Sequence, residues 1–381
     1  MDFRLSKEQK DIRKAARVFA EGEFDPDLVA GWERECQFPL EVWKKASELG
    51  FIGMHIPKKY GGQELGLLEH ALVFEAFCRH DSSMGLALAF SDLGSEIILN
   101  YGTNEQKQRY LPSMCRGESI SSLAYLEKGQ RNGVDPFETA AIEKGDGYLI
   151  NGTKTFVYNI TLAGPMIVLC QLIKGQGAGE KTAFIWGKGA DGLDSSIFGD
   201  RVGMRMVPMG NLTFTDVRLP HESLLGDGGD GQSQLLLSLN EMNIKASVAG
   251  TGIAQGAFDM ALAYAHGRKQ FGRKIASFEA IRGKLIDMAT RIEISRLLTY
   301  KAAWSLDGNR GSSTLPDMAK MVAAETALEV ARDALHIFGG YGYVVDYQIE
   351  RFYRDASMLD IIGLPGHSHK KKLAGDVVGK T

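Results

Sequence analysis

Cysteine is scarce. There are four cysteines in 381 residues, Cys36, Cys78, Cys115 and Cys170, and none forms a CxxC pair. That excludes a disulfide scaffold and a thiolate metal cluster, and leaves buried free thiols in a reducing compartment. Eight histidines form no HExxH or other metal-ligand spacing, so no metal is expected. Long apolar runs are missing too. Stretches such as Met166–Cys170 fall far short of the ~20 residues of a membrane span, which argues against membrane insertion. The segment Met1-Asp2-Phe3-Arg4-Leu5-Ser6 carries an early acid and no apolar core of a signal peptide. Charge of one sign is absent: 44 basic residues face 47 acidic ones, a net charge of −3, which excludes a nucleic-acid binder held by phosphate contacts. GxGxxG, GxxxxGK[ST] and GxSxG are all lacking, so neither a classical dinucleotide site, a P-loop nor a hydrolase elbow is expected. A cytoplasmic protein is the expectation.

What is present describes a globular chain, with 44% hydrophobic and 24% charged residues. Its length suggests two or three packed units. The 45 glycines, about 12% against a usual ~7%, follow no collagen period and mark turns and close approaches. Ser6-Lys7-Glu8-Gln9 forms a capping box ahead of Ile12, Ala15, Ala16 and Phe19. Further helices are expected over Pro39–Leu49, Leu68–His80, Ser83–Tyr101 and Asn104–Met114. Near Ser119 the pattern turns to strands. Asn151-Gly152 signals a hairpin between two arms, and Met166–Ile173, Thr182–Trp186 and Asn211–Leu219 read as strands. After Gly226–Gly231 long helices return over Gln234–His266, through Ile281, Leu285, Met288 and Ile292, and from Thr314 to Phe338. The last opens with Pro316 in its first turn and Asp317 at its third position. The chain thus divides into an N-terminal helical domain (1–117), a middle β domain (118–230) and a C-terminal helical domain (231–381).

Four stretches carry a resemblance. Arg268-Lys269-Gln270-Phe271-Gly272 is like RxQFG, His336 to Tyr343 is like QxxGGxGY, Arg351 to Ala356 is like RxxRDA, and Ile150 to Val157 is like INGxKxWI. Together they resemble the acyl-CoA dehydrogenase family over essentially the whole chain. The resemblance implies an α+β fold: a helical N-terminal domain, a β-barrel or sandwich, and a C-terminal four-helix bundle. It also implies FAD, an acyl-CoA substrate, electron-transferring flavoprotein as acceptor, and a homo-oligomer of at least two and up to four chains. The fork of donors on Arg268 suits a pyrophosphate, and Gly339 and Gly340 let a backbone approach a ligand. By resemblance the cofactor-binding set is Leu123, Tyr125, Leu126, Phe156, Tyr158, Arg268, Gln270, Phe271, His336, Gly339 and Gly340. Phe156 stands where the family has Trp beside the flavin. The substrate-binding set is Gly133, Asn240, Asn243 and Gly363.

The departures carry more information. The family's base Glu lies nine residues after the Arg of its RDA motif, and nine residues after Arg354 comes Gly363. The family's alternative position for that Glu, before the GxAQ-like Gly252–Gln255, holds Met242, with Glu241 one residue off. One residue turns a helical side chain by about 100°, so Glu241 should point elsewhere. The flavin loop is altered to Leu126-Glu127-Lys128-Gly129. Asp92, in the otherwise small and apolar Leu86–Gly94, is the candidate base, since an acid in such a run is costly unless it has a partner. Burial is expected to raise its pKa. An α-base is not needed where the α-carbon already belongs to a C=C bond. The pattern is similar to that of cyclohex-1-ene-1-carboxyl-CoA dehydrogenases of anaerobic aromatic-acid metabolism. The rivals are a saturated-acyl or benzylsuccinyl-type dehydrogenase using another acid, and a catalytically silent partner subunit.

Overall fold

The computed structural model describes residues 4–129, 136–162, 164–174, 179–187, 189–307, 314–364 and 366–379. Gly133 lies outside the described residues. The capping box forms as its residues dictate: the Gln9 amide N–H donates to Ser6 Oγ, and the Ser6 N–H to the Gln9 side chain. It opens α1 (Lys7–Glu23), which is followed by α2 (Pro26–Arg34), α3 (Leu40–Glu48) and α4 (Leu67–His80). Where a single helix over Ser83–Tyr101 is expected, there are two, α5 (Ser82–Ala89) and α6 (Ser95–Tyr101). The break is made at Gly94, with φ +86°, where an added Cβ would lie 2.9 Å from Ile167 Cδ1. Only glycine meets both demands cheaply. Helix α7 (Asn104–Cys115) closes the N-terminal part.

The middle part is one mixed sheet built from β1 (Ser122–Ala124), β2 (Ala140–Lys144), β3 (Gly147–Tyr158), β4 (Met166–Ile173), β5 (Glu180–Trp186), β6 (Leu193–Ile197), β7 (Met209–Pro220) and β8 (Leu224–Leu225). Its order is β6-β7-β3-β2-β4-β5-β8, with β1 parallel to β4. The expected Asn151-Gly152 hairpin is overturned. These residues lie inside β3, where the register against β7 shifts, and the β2–β3 reversal comes earlier, between Lys144 and Gly147. Gly152 is needed for contact instead, since a Cβ there would stand 2.6 Å from Thr139 Cα. A second shift lies between Lys154 and Val157, and within it Phe156 has φ +52°. The sheet has its own core around Phe184 and Phe214, while Leu123, Tyr125 and Tyr158 face the helices.

The C-terminal part is α8 (Gly231–Gly267), α9 (Glu279–Asp307) and α10 (Leu315–Phe338), with the shorter α11 (Ile349–Ala356) and α12 (Gly366–Val377). Helix α8 packs on α4 and α10 and is the structural axis of the molecule. Asp317 stands in the first turn of α10 as expected, and its carboxylate turns inward and accepts bonds from Asn243 Nδ2 (2.9 Å), His369 Nδ1 (2.7 Å) and Lys372 Nζ (2.6 Å). Burial pushes its carboxyl up, but the bonds from His369 and Lys372 more than reverse this and hold it below the usual value. Among the described residues no helix is long and apolar enough to cross a membrane, and no group of His, Cys, Asp or Glu is placed to hold a metal ion.

Candidate active site

Asp92 lies in the break between α5 and α6, only 4% exposed. The sheet holds this break from one side. Ser121 N–H donates to Ser91 O (3.1 Å), and Asn159 Nδ2 donates to Phe90 O (2.7 Å) and to Ser121 O (3.0 Å). The Phe90 ring stacks on Tyr158, centroids 5.9 Å apart. Helix α8 meets the break from the other side, and Lys245 Nζ donates to Asp92 Oδ1. His55 Nδ1 is 3.9 Å from Asp92 Oδ2, and its Nε2 is 2.9 Å from Ser95 Oγ. Burial pushes the Asp92 carboxyl up, yet the causes that oppose it, the Lys245 ammonium first among them, leave it below the ordinary Asp value. The expectation of a raised pKa is therefore corrected: a buried carboxylate with a buried cation in contact is held ionised. Burial lowers His55 to about 4 and His70 to about 3, so both are neutral at pH 7.

The two positions from which an α-base would come lie side by side, and neither carries an acid. A Cβ on Gly363 would stand 3.1 Å from Asn243 Oδ1 and 3.8 Å from Met242 Sδ. Tyr125 Oη donates to Gly363 O (2.6 Å) and lies 3.6 Å from Met242 Sδ. Asn243 is buried, and its Oδ1 has no hydrogen-bond partner among the described residues; nor has Asn240 Oδ1. Lys320 Nζ holds the Gly363 segment by donating to Asp360 O (2.6 Å) and Leu364 O (2.9 Å), and burial brings its pKa down to about 8. Glu241 is half-buried on the stripe of α8 that carries Lys245. Burial, and then the neighbouring Glu96, push its carboxyl well above the usual range.

A second group of expected residues meets elsewhere. Arg268, Gln270, Phe271, Gly339 and Gly340 line a groove of about 620 Å³, with the Arg268 guanidinium 5.7 Å from the centre of the Tyr341 ring. Phe271 and Gly272 form the turn of a short hairpin, and Phe271 is both left-handed (φ +50°) and 92% exposed. Nothing stands within 4 Å of where a Cβ on Gly339 or Gly340 would be, so the groove is open there. A fixed cationic fork beside open backbone suits a phosphate-bearing cofactor. His336 is exposed and is not among the residues lining this groove. Phe156, 37% exposed, packs edge-on to Phe198 at 4.9 Å on the sheet. Leu126 O accepts from Thr155 N–H (2.8 Å), beside Phe156. Glu127 turns inward, where Lys154 Nζ (2.5 Å) and the N–H groups of Glu138 (2.6 Å) and Thr139 (3.0 Å) donate to it.

Sequence reasoning missed Lys245 and its surroundings. The signal was present: Lys245 interrupts the small and apolar run Ile244–Ala249 of α8, as Asp92 interrupts its own.

Three family models match the chain: the acyl-CoA dehydrogenase N-terminal domain over residues 6–118, the middle domain over 122–217 and the C-terminal domain over 229–369. A 3-(aryl)acrylate reductase of Clostridium sporogenes is 36% identical over 92% of this chain and 93% of its own. A subunit of the caffeyl-CoA reductase–Etf complex of Acetobacterium woodii is 33% identical over 94% of each. The structure of butyryl-CoA dehydrogenase from Megasphaera elsdenii superposes with a TM-score of 0.93 at 29% identity, covering 99% of this chain and 100% of that one. Since these matches run through all three parts of the fold and through both groups of residues, the chain belongs to the acyl-CoA dehydrogenase family, flavin-dependent oxidoreductases acting on CH–CH bonds.

Proposed function

We propose that this enzyme dehydrogenates a cyclic enoyl-CoA, cyclohex-1-ene-1-carboxyl-CoA, to the 1,5-diene thioester, with Asp92 as the base. The observation that carries this reading is the exchange of acids: Met242 and Gly363 stand together without a carboxylate, while Asp92 is held ionised and buried against the next turn of α8. A saturated acyl-CoA requires loss of an α-proton. An α,β-unsaturated ring has no such proton, and its acidic hydrogen is on C3, conjugated through C1=C2 to the thioester carbonyl. Asp92 takes that proton as general base. Negative charge develops on the dienolate and reaches the thioester oxygen, where backbone donors of the Gly363 segment are expected to stabilise it. The hydride leaves C6, and the product carries C1=C6 and C2=C3. FAD, the cofactor, supplies the hydride acceptor when bound. Arg268, Gly339, Gly340 and Phe271 would hold it, with Leu123, Tyr125, Leu126, Phe156 and Tyr158 on the sheet side.

The likeness to a subunit of a reductase–Etf complex supports an electron-transferring flavoprotein as redox partner. The exposed Phe271 hairpin supports assembly into a homo-oligomer, proposed as a tetramer, in which this groove is completed by another chain. The place of such a reaction is anaerobic breakdown of aromatic acids. The test is stopped-flow bleaching of the flavin by cyclohex-1-ene-1-carboxyl-CoA. Asp92→Asn should bind FAD and thioester yet lose roughly 10²–10⁴ in rate, the range for loss of a general base. Because it removes the carboxylate in contact with the buried Lys245, thermal unfolding of the variant is measured alongside. A folded variant that bleaches at near-normal rate would overturn the reading.

A further inference from the structure

We infer that Lys245 is a positioning residue: from α8 it holds the Asp92 carboxyl ionised and fixed in direction, so that Asp92 can act as a base inside an apolar site. The inference rests on the reading of Asp92 as base. Its geometry is a polar layer between two elements. Ser238, Glu241 and Lys245 follow one another on α8 at spacings of 3 and 4, one face of a helix. Opposite lie Asp92 and Glu96, four residues apart. Lys245 Nζ touches Asp92 Oδ1, and Ser238 Oγ donates to Glu96 Oε1 (2.5 Å).

Among the described residues, the charges around Asp92 leave Lys245 as its only cation at neutral pH. His55, in the segment before α4, and His70, on α4, are both kept neutral by burial. Glu96 on α6 and Glu241 on α8 are acids, both pushed up by burial, and Asp307 at the end of α9 adds a further negative charge beside Glu241. Cys115 on α7 is raised to about 11 and stays a neutral thiol. Without Lys245, then, Asp92 would face acids and neutral groups in a buried setting, and such a carboxyl takes up a proton. A protonated Asp92 cannot accept one from substrate. The pairing lowers basicity, but the carboxylate is the form present throughout the neutral range.

The experiment compares the parent enzyme with Lys245→Met, Lys245→Arg and Lys245→Met/Asp92→Asn, each carrying FAD. Infrared spectroscopy reads the C=O stretch of a buried protonated carboxyl, identified by its shift in D2O, at pH 7. Against the parent, Lys245→Met should gain such absorption, Lys245→Arg should not, and the double variant should lose the part contributed by Asp92, any remainder belonging to Glu96 and Glu241, which lose the same cation. In flavin bleaching, Lys245→Met should lose at least tenfold at pH 7, and its rate should recover toward the parent's at higher pH, the acid limb having moved up by more than one unit. A structural role alone would lower the rate equally at every pH. No added band in Lys245→Met, or one that the second substitution leaves undiminished, overturns the inference, as does a loss of rate independent of pH. If the added band behaves as expected but Asp92→Asn bleaches normally, the pair is as described and it is the assignment of Asp92 as base that falls.

Discussion

Gly363 is the residue at which the proposed reading counts a carboxylate as missing, and its local geometry explains what a substitution would do. Its φ is +73°, a region that costs an L-residue roughly 1 kcal/mol or more, and a Cβ would come within 3.1 Å of Asn243 Oδ1. Gly363→Ala should therefore destabilise the protein by about 1–2 kcal/mol, read as a lowered Tm, with FAD still bound. Gly363→Glu carries the same backbone strain and in addition places a carboxylate beside the buried Asn243 Oδ1, so restoring the acid is not a neutral change. A Gly363→Ala variant as stable as the parent would show that the segment relaxes freely. Asp92 teaches the converse lesson. As an isolated residue it reads as an acid whose pKa burial would raise; with Lys245 in contact, the sign is reversed.

At the scale of elements, the segment from Asp360 to Leu364 is held by one side chain of α10. Lys320 is buried and caps two carbonyls, Asp360 O and Leu364 O, while Tyr125 of the sheet side holds Gly363 O. Bonds from a charged donor contribute about 1.5–3 kcal/mol each, and the cost of keeping the ammonium buried partly offsets them. Lys320→Met should destabilise the protein by roughly 2–4 kcal/mol. It should also speed amide hydrogen exchange in residues 360–364, measured by mass spectrometry, more than in α8. Unchanged exchange in that segment would mean that Tyr125 and the Asp317 cluster suffice to hold it. The break between α5 and α6 is an element of the same kind: Gly94 interrupts the helical path, and Asn159 and Ser121 tie the non-helical backbone to the sheet.

For the whole molecule, the two groups of site residues imply different partners. The Asp92 group is closed within one chain, but the Arg268 groove is open and borders an exposed, left-handed Phe271. Arg268→Ala removes a charge-assisted pairing worth on the order of 1.5–3 kcal/mol and should raise the Kd for FAD about 10- to 100-fold, measured by fluorescence on release of flavin. Phe271→Ser should weaken association between chains, read by analytical ultracentrifugation. A variant at Arg268 that retains FAD as the parent does would detach this groove from the cofactor.

The order of helices, sheet and helices could be read from periodicity and punctuation, because capping residues, alternating strands and Gly breaks act locally. Ser6 and Gln9 need no distant partner to start α1, nor Gly339 to end α10. The motifs around Arg268 and Gly339 were legible for the same reason: each is a short string whose chemistry lies in its own residues. What the linear order left undecided was every matter settled between residues far apart in the chain. Asn151-Gly152 has the composition of a turn, but sheet pairing with β7 draws it into the middle of a strand. Ser83–Tyr101 has the composition of one helix, but Ile167 and Asn159 favour a break. The charge state of Asp92 depends on a lysine 153 residues away, and that of Asp317 on a histidine 52 residues away. Buried electrostatics is decided by which charge stands within a few ångströms in a low dielectric, and only the folded chain determines that distance.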